Sequence, residues 1–123
     1  MKKIVVIDDD KVTLRLVEKT LVDQGFEVLT APDGLSGLDL IHKSLPSLVI
    51  SDVLIPKIDG MELTKKIKSH SVLQYIHVIL MSAVYKGFAF KKDILESGAD
   101  SFLAKPLNTS ELVQQVNNIL KKA

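Results

Sequence analysis

Three carboxylates, one hydroxyl and one ammonium group stand directly behind short apolar runs in this sequence. Asp8 and Asp9 follow Ile4 to Ile7, Asp52 follows Val49-Ile50-Ser51, Ser82 follows Val78 to Met81, and Lys105 follows Ser101 to Ala104. If the runs are parallel strands, all five groups meet on the carboxyl rim of one sheet, the edge where open α/β sheets bind ligands. Three carboxylates brought together repel unless a positive charge sits among them. An all-oxygen donor set without cysteine suits a hard cation such as Mg2+, which keeps several waters and leaves room for a phosphate oxygen. Asp52 then has the setting of a nucleophile toward phosphorus, with Lys105 offsetting charge and Ser82 donating a hydrogen bond. Taken singly, each residue has an ordinary role: Asp8-Asp9-Asp10 caps a helix, Asp52 opens a turn, Ser82 ends a strand and Lys105 is solvated. Their shared rim is what points to chemistry.

The elements that must position these groups alternate along the chain. Ile4 to Ile7 is a β-branched apolar run of the kind covered on both faces. Leu14, Val17 and Leu21 follow at helical spacing, stopped by Gly25. Phe26 to Ala31 reads as a second strand, and Asp33-Gly34 opens a helix carrying Leu35, Leu38 and Ile41 until Pro46. Leu48 to Ser51 is a third strand, interrupted at Pro56, and Asp59 with Glu62 forms a capping box for a helix to about Ser69. Ile76 to Met81 is a fourth strand, and a helix closes at Gly98 after a stretch, Ala83 to Phe90, that fits no pattern well. Ser101 to Ala104 is a fifth strand. A last helix begins near Asn108, with Leu112, Val113, Val116, Ile119 and Leu120 on one face. The order demands right-handed crossovers, a parallel sheet and helices on both faces.

The 123 residues, 46% hydrophobic, fit one domain spanning 1–123, with no internal repeat or linker. Sixteen basic against fifteen acidic residues favour neither nucleic acid nor membrane as partner. The absence of cysteine removes disulfides, thiolate metal sites and thiol nucleophiles. The apolar start is cut short by aspartates, unlike a signal peptide, and the reading is of a cytoplasmic protein. His42, His70 and His77 have no metal-like spacing and read as surface or edge residues.

IVVIDDD (Ile4 to Asp10), VISDVLIPKIDG (Val49 to Gly60), LMSA (Leu80 to Ala83) and GADSFLAKP (Gly98 to Pro106), in that order, resemble the receiver domain of bacterial two-component response regulators, over essentially the whole chain. The likeness is to chemotaxis-regulator-like receivers, and leaves open both a stand-alone regulator and a receiver whose output domain follows Ala123. It implies a doubly wound, flavodoxin-like (βα)5 fold with strand order 2-1-3-4-5, an order known for such sheets. It implies Asp52 as phosphoacceptor, and Asp8, Asp9, Asp52 and the backbone carbonyl of Leu54 as the Mg2+ site. Ser82 stands at the switch hydroxyl position, Lys105 at the phosphate-binding lysine and Phe102 at the switch aromatic, and Lys105-Pro106 is expected to be cis. The implied partners are a sensor histidine kinase or histidine phosphotransfer protein upstream and an effector protein or output domain downstream. No nucleic acid or membrane is touched by this domain, which is a monomer or a phosphorylation-dependent dimer. The chain is then a signalling module and not an enzyme: it takes a phosphoryl group onto Asp52, shifts its α4-β5-α5 face and hydrolyses its own aspartyl phosphate. An FMN carrier of like topology is disfavoured, since Asp8-Asp9-Asp10 would repel the flavin phosphate. A phosphorylation-independent interaction module has no physical need for a mutually repelling acidic pocket. A hydrolase with an aspartyl nucleophile lacks a second carboxylate two residues after Asp52.

Two stretches depart from the family pattern. Val84 to Phe90 is more apolar than the usual loop there and about one residue longer, and reads either as a helix face on the sheet or as an exposed partner surface. Leu54 and Val84, two residues beyond Asp52 and Ser82, are apolar where the family flanks the phosphoryl group, which predicts impeded water attack and a longer-lived phosphorylated state.

Overall fold

The alternation resolves as β1 (Lys3–Ile7), α1 (Lys11–Asp23), β2 (Glu27–Ala31), α2 (Gly34–Ser44), β3 (Leu48–Asp52), α3 (Gly60–Ser69), a 3-10 turn (Leu73–Tyr75), β4 (His77–Ser82), α4 (Gly87–Glu96), β5 (Ser101–Ala104) and α5 (Thr109–Lys121). The structure is a computed structural model that describes residues 2–83 and 87–121, and their side chains other than those of 87–91 and 121. All five strands are parallel, in the order β2-β1-β3-β4-β5. The centre of the sheet is wholly buried, which is why β1, β3 and β4 are near-continuous Val, Ile and Leu and do not alternate with polar residues.

Alternate residues still divide between two cores. Ile4, Val6, Ile50 and Met81 pack with Val17 and Leu21 of α1 and Leu112 and Val116 of α5. Val5, Ile7, Val49 and Leu80 face the opposite way, onto Ile41 of α2, Leu63 and Ile67 of α3 and Ile94 of α4. The register aligns the strand ends: Ile7 lies opposite Ala31 and Ser51, Asp52 opposite Met81, and Ser82 opposite Ala104. The ladder runs one residue past three of these ends, through Asp8 N–H to Ala31 O (3.2 Å), Val53 N–H to Met81 O (2.8 Å) and Lys105 N–H to Ser82 O (2.8 Å). Those bonds fix the backbone at the residues the sequence singled out.

Local chemistry explains the turns between. Asp10, Asp33 and Asp59 cap α1, α2 and α3 through side-chain oxygens that accept from Val12, Ser36 and Glu62 N–H, and Asn108 accepts from Glu111 N–H at α5. Gly98, at φ +100°, takes the left-handed stop after α4. Lys105-Pro106 is cis, as the resemblance implied.

Two expectations need adjustment. The second helix was read as carrying Leu35, Leu38 and Ile41, but Leu35 is exposed, and Gly34, Gly37 and Ile41 are buried. The reason is close approach: a Cβ at Gly34 would strike the Ile58 carbonyl, and one at Gly37 the Ile7 side chain. The fourth strand starts at His77 and not at Ile76, because Ile76 N–H closes the 3-10 turn onto Leu73 O, a turn the apolar pattern did not signal. The stretch that fitted no pattern begins α4 at Gly87; Val84 to Lys86 and the side chains of 87–90 lie outside the described residues, so neither reading of that segment is tested.

Candidate functional site

The register sets Asp8 and Asp52 on adjacent strands, and the sequence-predicted acids converge: one ligand oxygen each of Asp8, Asp9 and Asp52 lies within 4.8 Å of the others. Asp8 (1% exposed) and Asp52 (8%) are buried, whereas Asp9 is exposed. Lys105 reaches across from the end of β5 and donates to both buried acids, at 2.7 Å to Asp8 Oδ2 and 3.1 Å to Asp52 Oδ2. The second oxygen of Asp8 accepts from Asp10 N–H at 2.9 Å, and that of Asp52 from Leu54 N–H at 3.4 Å.

Burial pushes the Asp8 carboxyl above its ordinary value, against the hydrogen bonds from Lys105 and Asp10 N–H, and the charge of Asp52 pushes the same way. Burial alone would lower the Lys105 ammonium; its hydrogen bonds to Asp8 and Asp52 outweigh that, and the net shift is upward. The pocket is therefore short of positive charge. Among the described residues Lys105 is the one cation paired with Asp8 and Asp52, and no ion pair to Asp9 is formed there. At 4.8 Å two ionised carboxylates repel by about 3 kcal/mol at an effective dielectric of about 20. The donor set and the charge deficit both fit a small hard divalent cation.

Of the other expected residues, Ser82 and Leu54 lie on the same rim and Phe102 lies within β5. Ser82 ends β4, 7% exposed, with its carbonyl tied to Lys105 N–H. Phe102, in the middle of β5, is half-buried against the core under α2, α3 and α4. Leu54 lies two residues past Asp52 and is 63% exposed. Gly60 makes the turn behind Asp52 possible: its N–H bonds Val53 O at 2.8 Å, and a Cβ there would sit 2.5 Å from the Asp52 carbonyl oxygen. A cleft of about 760 Å³ along α3 and α4, lined by Lys57, Glu62, Lys65, Asp93 and Ser97 among others, contains none of the five groups. Its lining mixes basic and acidic side chains.

Sequence reasoning missed the return of Asp10 N–H to Asp8, a backbone bond that no residue type signals. It also missed that His42 and His70 meet edge-on, with ring centroids 5.1 Å apart. His70 Nδ1 accepts from Val72 and Leu73 N–H, which makes the ring a turn cap at the end of α3. His77 stands 3.7 Å from Asp100 at the start of β4.

The fold and site together are those of a doubly wound α/β domain with an acidic, lysine-bridged pocket at the carboxyl rim of its sheet. A family model described as response regulator receiver domain matches residues 4–117. The chain is 34% identical over 119 residues to the response regulator PleD of Caulobacter vibrioides, a match covering 97% of this chain and 26% of PleD. Among solved structures, the chemotaxis response regulator CheY4 of Vibrio cholerae aligns with a TM-score of 0.90 at 28% identity, covering 97% of this chain and 98% of that one. The receiver domain of the Francisella response regulator 1452 aligns at 0.91 and 30%, covering 99% and 98%. The chain belongs to the response regulator receiver domain family and so to two-component signalling. It spans about a quarter of PleD's length, and no helix among the described residues is long and apolar enough to cross a membrane.

Proposed function

We propose that this chain is a phosphoacceptor switch that takes a phosphoryl group from a phosphohistidine onto Asp52. What carries the reading is Asp52 itself, at the carboxyl end of β3 with Lys105 3.1 Å from Oδ2 and the oxygens of Asp8 and Asp9 beside it. Asp8, Asp9, Asp52 and the Leu54 carbonyl hold Mg2+, which supplies positive charge toward the phosphoryl oxygens when bound. An Asp52 oxygen forms the new bond to phosphorus as the phosphorus–nitrogen bond of the donor breaks; the imidazole leaves with the electron pair and takes up a proton. Lys105 offsets charge on the transferred group and the Ser82 hydroxyl donates to it. In hydrolysis, water attacks phosphorus and the Asp52 carboxylate leaves, releasing phosphate.

The output is a population shift. Ser82, drawn toward the phosphoryl group, makes room for the ring of Phe102, which changes the face built from α4, β5 and α5. Having no hydroxyl, Phe102 repacks without adding a hydrogen bond to a partner. The donor is a sensor histidine kinase or histidine phosphotransfer protein, the receiver of the signal an effector protein or output domain, and the compartment the cytoplasm. The domain acts as a signalling module whose only chemistry is on its own Asp52. Phosphoramidate, a small donor with the same phosphorus–nitrogen bond, tests this. With Mg2+ it should give an acyl phosphate signal by phosphorus NMR, and no signal should form when a chelator is present from the start; a signal that forms without divalent metal would defeat the mechanism.

A further inference from the structure

The three aspartates after β1 divide their tasks. Asp8 and Asp9 face the pocket, while Asp10 begins α1. Asp10 nevertheless touches the pocket through its backbone, because its N–H turns back and donates to Asp8 Oδ1 at 2.9 Å. The Asp8 side chain is fully buried, so water cannot replace that donor if the peptide turns away. Three forward bonds hold the Asp10 residue in this orientation. Its carbonyl accepts from Leu14 N–H at 3.0 Å, Oδ1 accepts from Val12 N–H at 3.2 Å, and Oδ2 accepts from the Thr13 hydroxyl at 2.7 Å. The Thr13 bond is the shortest of the three and is charge-assisted. Without it the carboxylate keeps one longer bond, and the cap that restrains the direction of the Asp10 peptide is loosened.

We propose that Thr13 is a positioning residue for the metal pocket. Acting through the Asp10 cap, it fixes the peptide N–H that orients the Asp8 carboxylate and thereby sets the affinity for Mg2+. This rests on the metal reading above. Thr13 touches none of the pocket oxygens; what it controls is the direction of one donor. Loss of an outer partner of a metal ligand lowers affinity by about 10- to 100-fold, and a residue one bond further out falls at the lower end of that range.

Mg2+ titration calorimetry on the full chain tests the proposal with four proteins. Thr13→Val should weaken Mg2+ binding about tenfold, and Thr13→Ser, which keeps the hydroxyl, should restore it. Thr20→Val makes the same change in the same helix, where the hydroxyl bonds only Leu16 O, and should bind Mg2+ like the unaltered chain. In metal-free protein the Asp10 amide proton should move upfield in Thr13→Val alone, the sign of a lost hydrogen bond independent of any metal. Unchanged Mg2+ affinity in Thr13→Val, or equal weakening in Thr20→Val, overturns the role of Thr13 while leaving the metal site standing. Failure of the unaltered chain to bind Mg2+ overturns both.

Discussion

Replacing Lys105 by methionine removes the only ammonium group among the described residues that is paired with the two buried carboxylates, while keeping the length and apolar stem of the side chain. At 2.7 Å and 3.1 Å the gross attraction to Asp8 and Asp52 comes to about 6 and about 5 kcal/mol at an effective dielectric of about 20. Much of this is offset by the desolvation of three charges, and breaking a buried pair costs about 3–5 kcal/mol in practice. Asp8, already pushed upward by burial, relieves part of the loss by protonating. A destabilisation of about 2–3 kcal/mol in metal-free protein follows. A divalent ion replaces the missing charge, so Mg2+ should stabilise Lys105→Met more than it stabilises the unaltered chain. A tenfold gain in affinity adds about 1.4 kcal/mol at saturating metal. Urea unfolding with and without Mg2+ measures all four stabilities. Equal or smaller Mg2+ stabilisation of the variant would refute the idea that lysine and metal neutralise the same acids.

Gly60→Ala should destabilise the fold by about 1–3 kcal/mol and block phosphorylation of Asp52, since the added carbon meets the Asp52 carbonyl oxygen at 2.5 Å; normal phosphorylation would show that the turn has slack. Leu54→Asn combined with Val84→Glu should speed loss of the phosphoryl group, by admitting and orienting water beside it, and an unchanged rate of phosphate release would rule that out. Asp33 gives a pH signature. Its cap bond from Ser36 N–H holds the carboxyl below the usual 3.8, so the folded state binds fewer protons than the unfolded one. The resulting stability is present above that value and is lost as pH falls through the lower folded value. Asp33→Asn should flatten the acid limb of the stability curve in that window, and an identical limb would remove the cap from the explanation.

Much of this fold was legible because its signals are local. Apolar runs ending in aspartate, serine or lysine marked the strands, and parallel topology put their ends on one rim. The phase of α2 was not legible, since Leu35 matches a helical stripe as well as Gly34 does. Only the approach of Ile7 and Ile58 from elsewhere in the chain decides that glycine goes inside. The 3-10 turn before β4 depends on His70 capping two amides, which periodicity does not register. The acids of the pocket could be named from the sequence, but the bond from Asp10 N–H to Asp8 could not, because it follows from a backbone direction and not from a residue type.

The most direct test of Asp52 as the phosphoacceptor is intact-mass measurement after incubation with Mg2+ and a small phosphodonor, on the unaltered chain and on Asp52→Ala. One phosphoryl group on the unaltered chain and none on Asp52→Ala is the predicted result. An adduct on Asp52→Ala would move the nucleophile elsewhere, and an unchanged mass in both would leave a receiver fold without receiver chemistry.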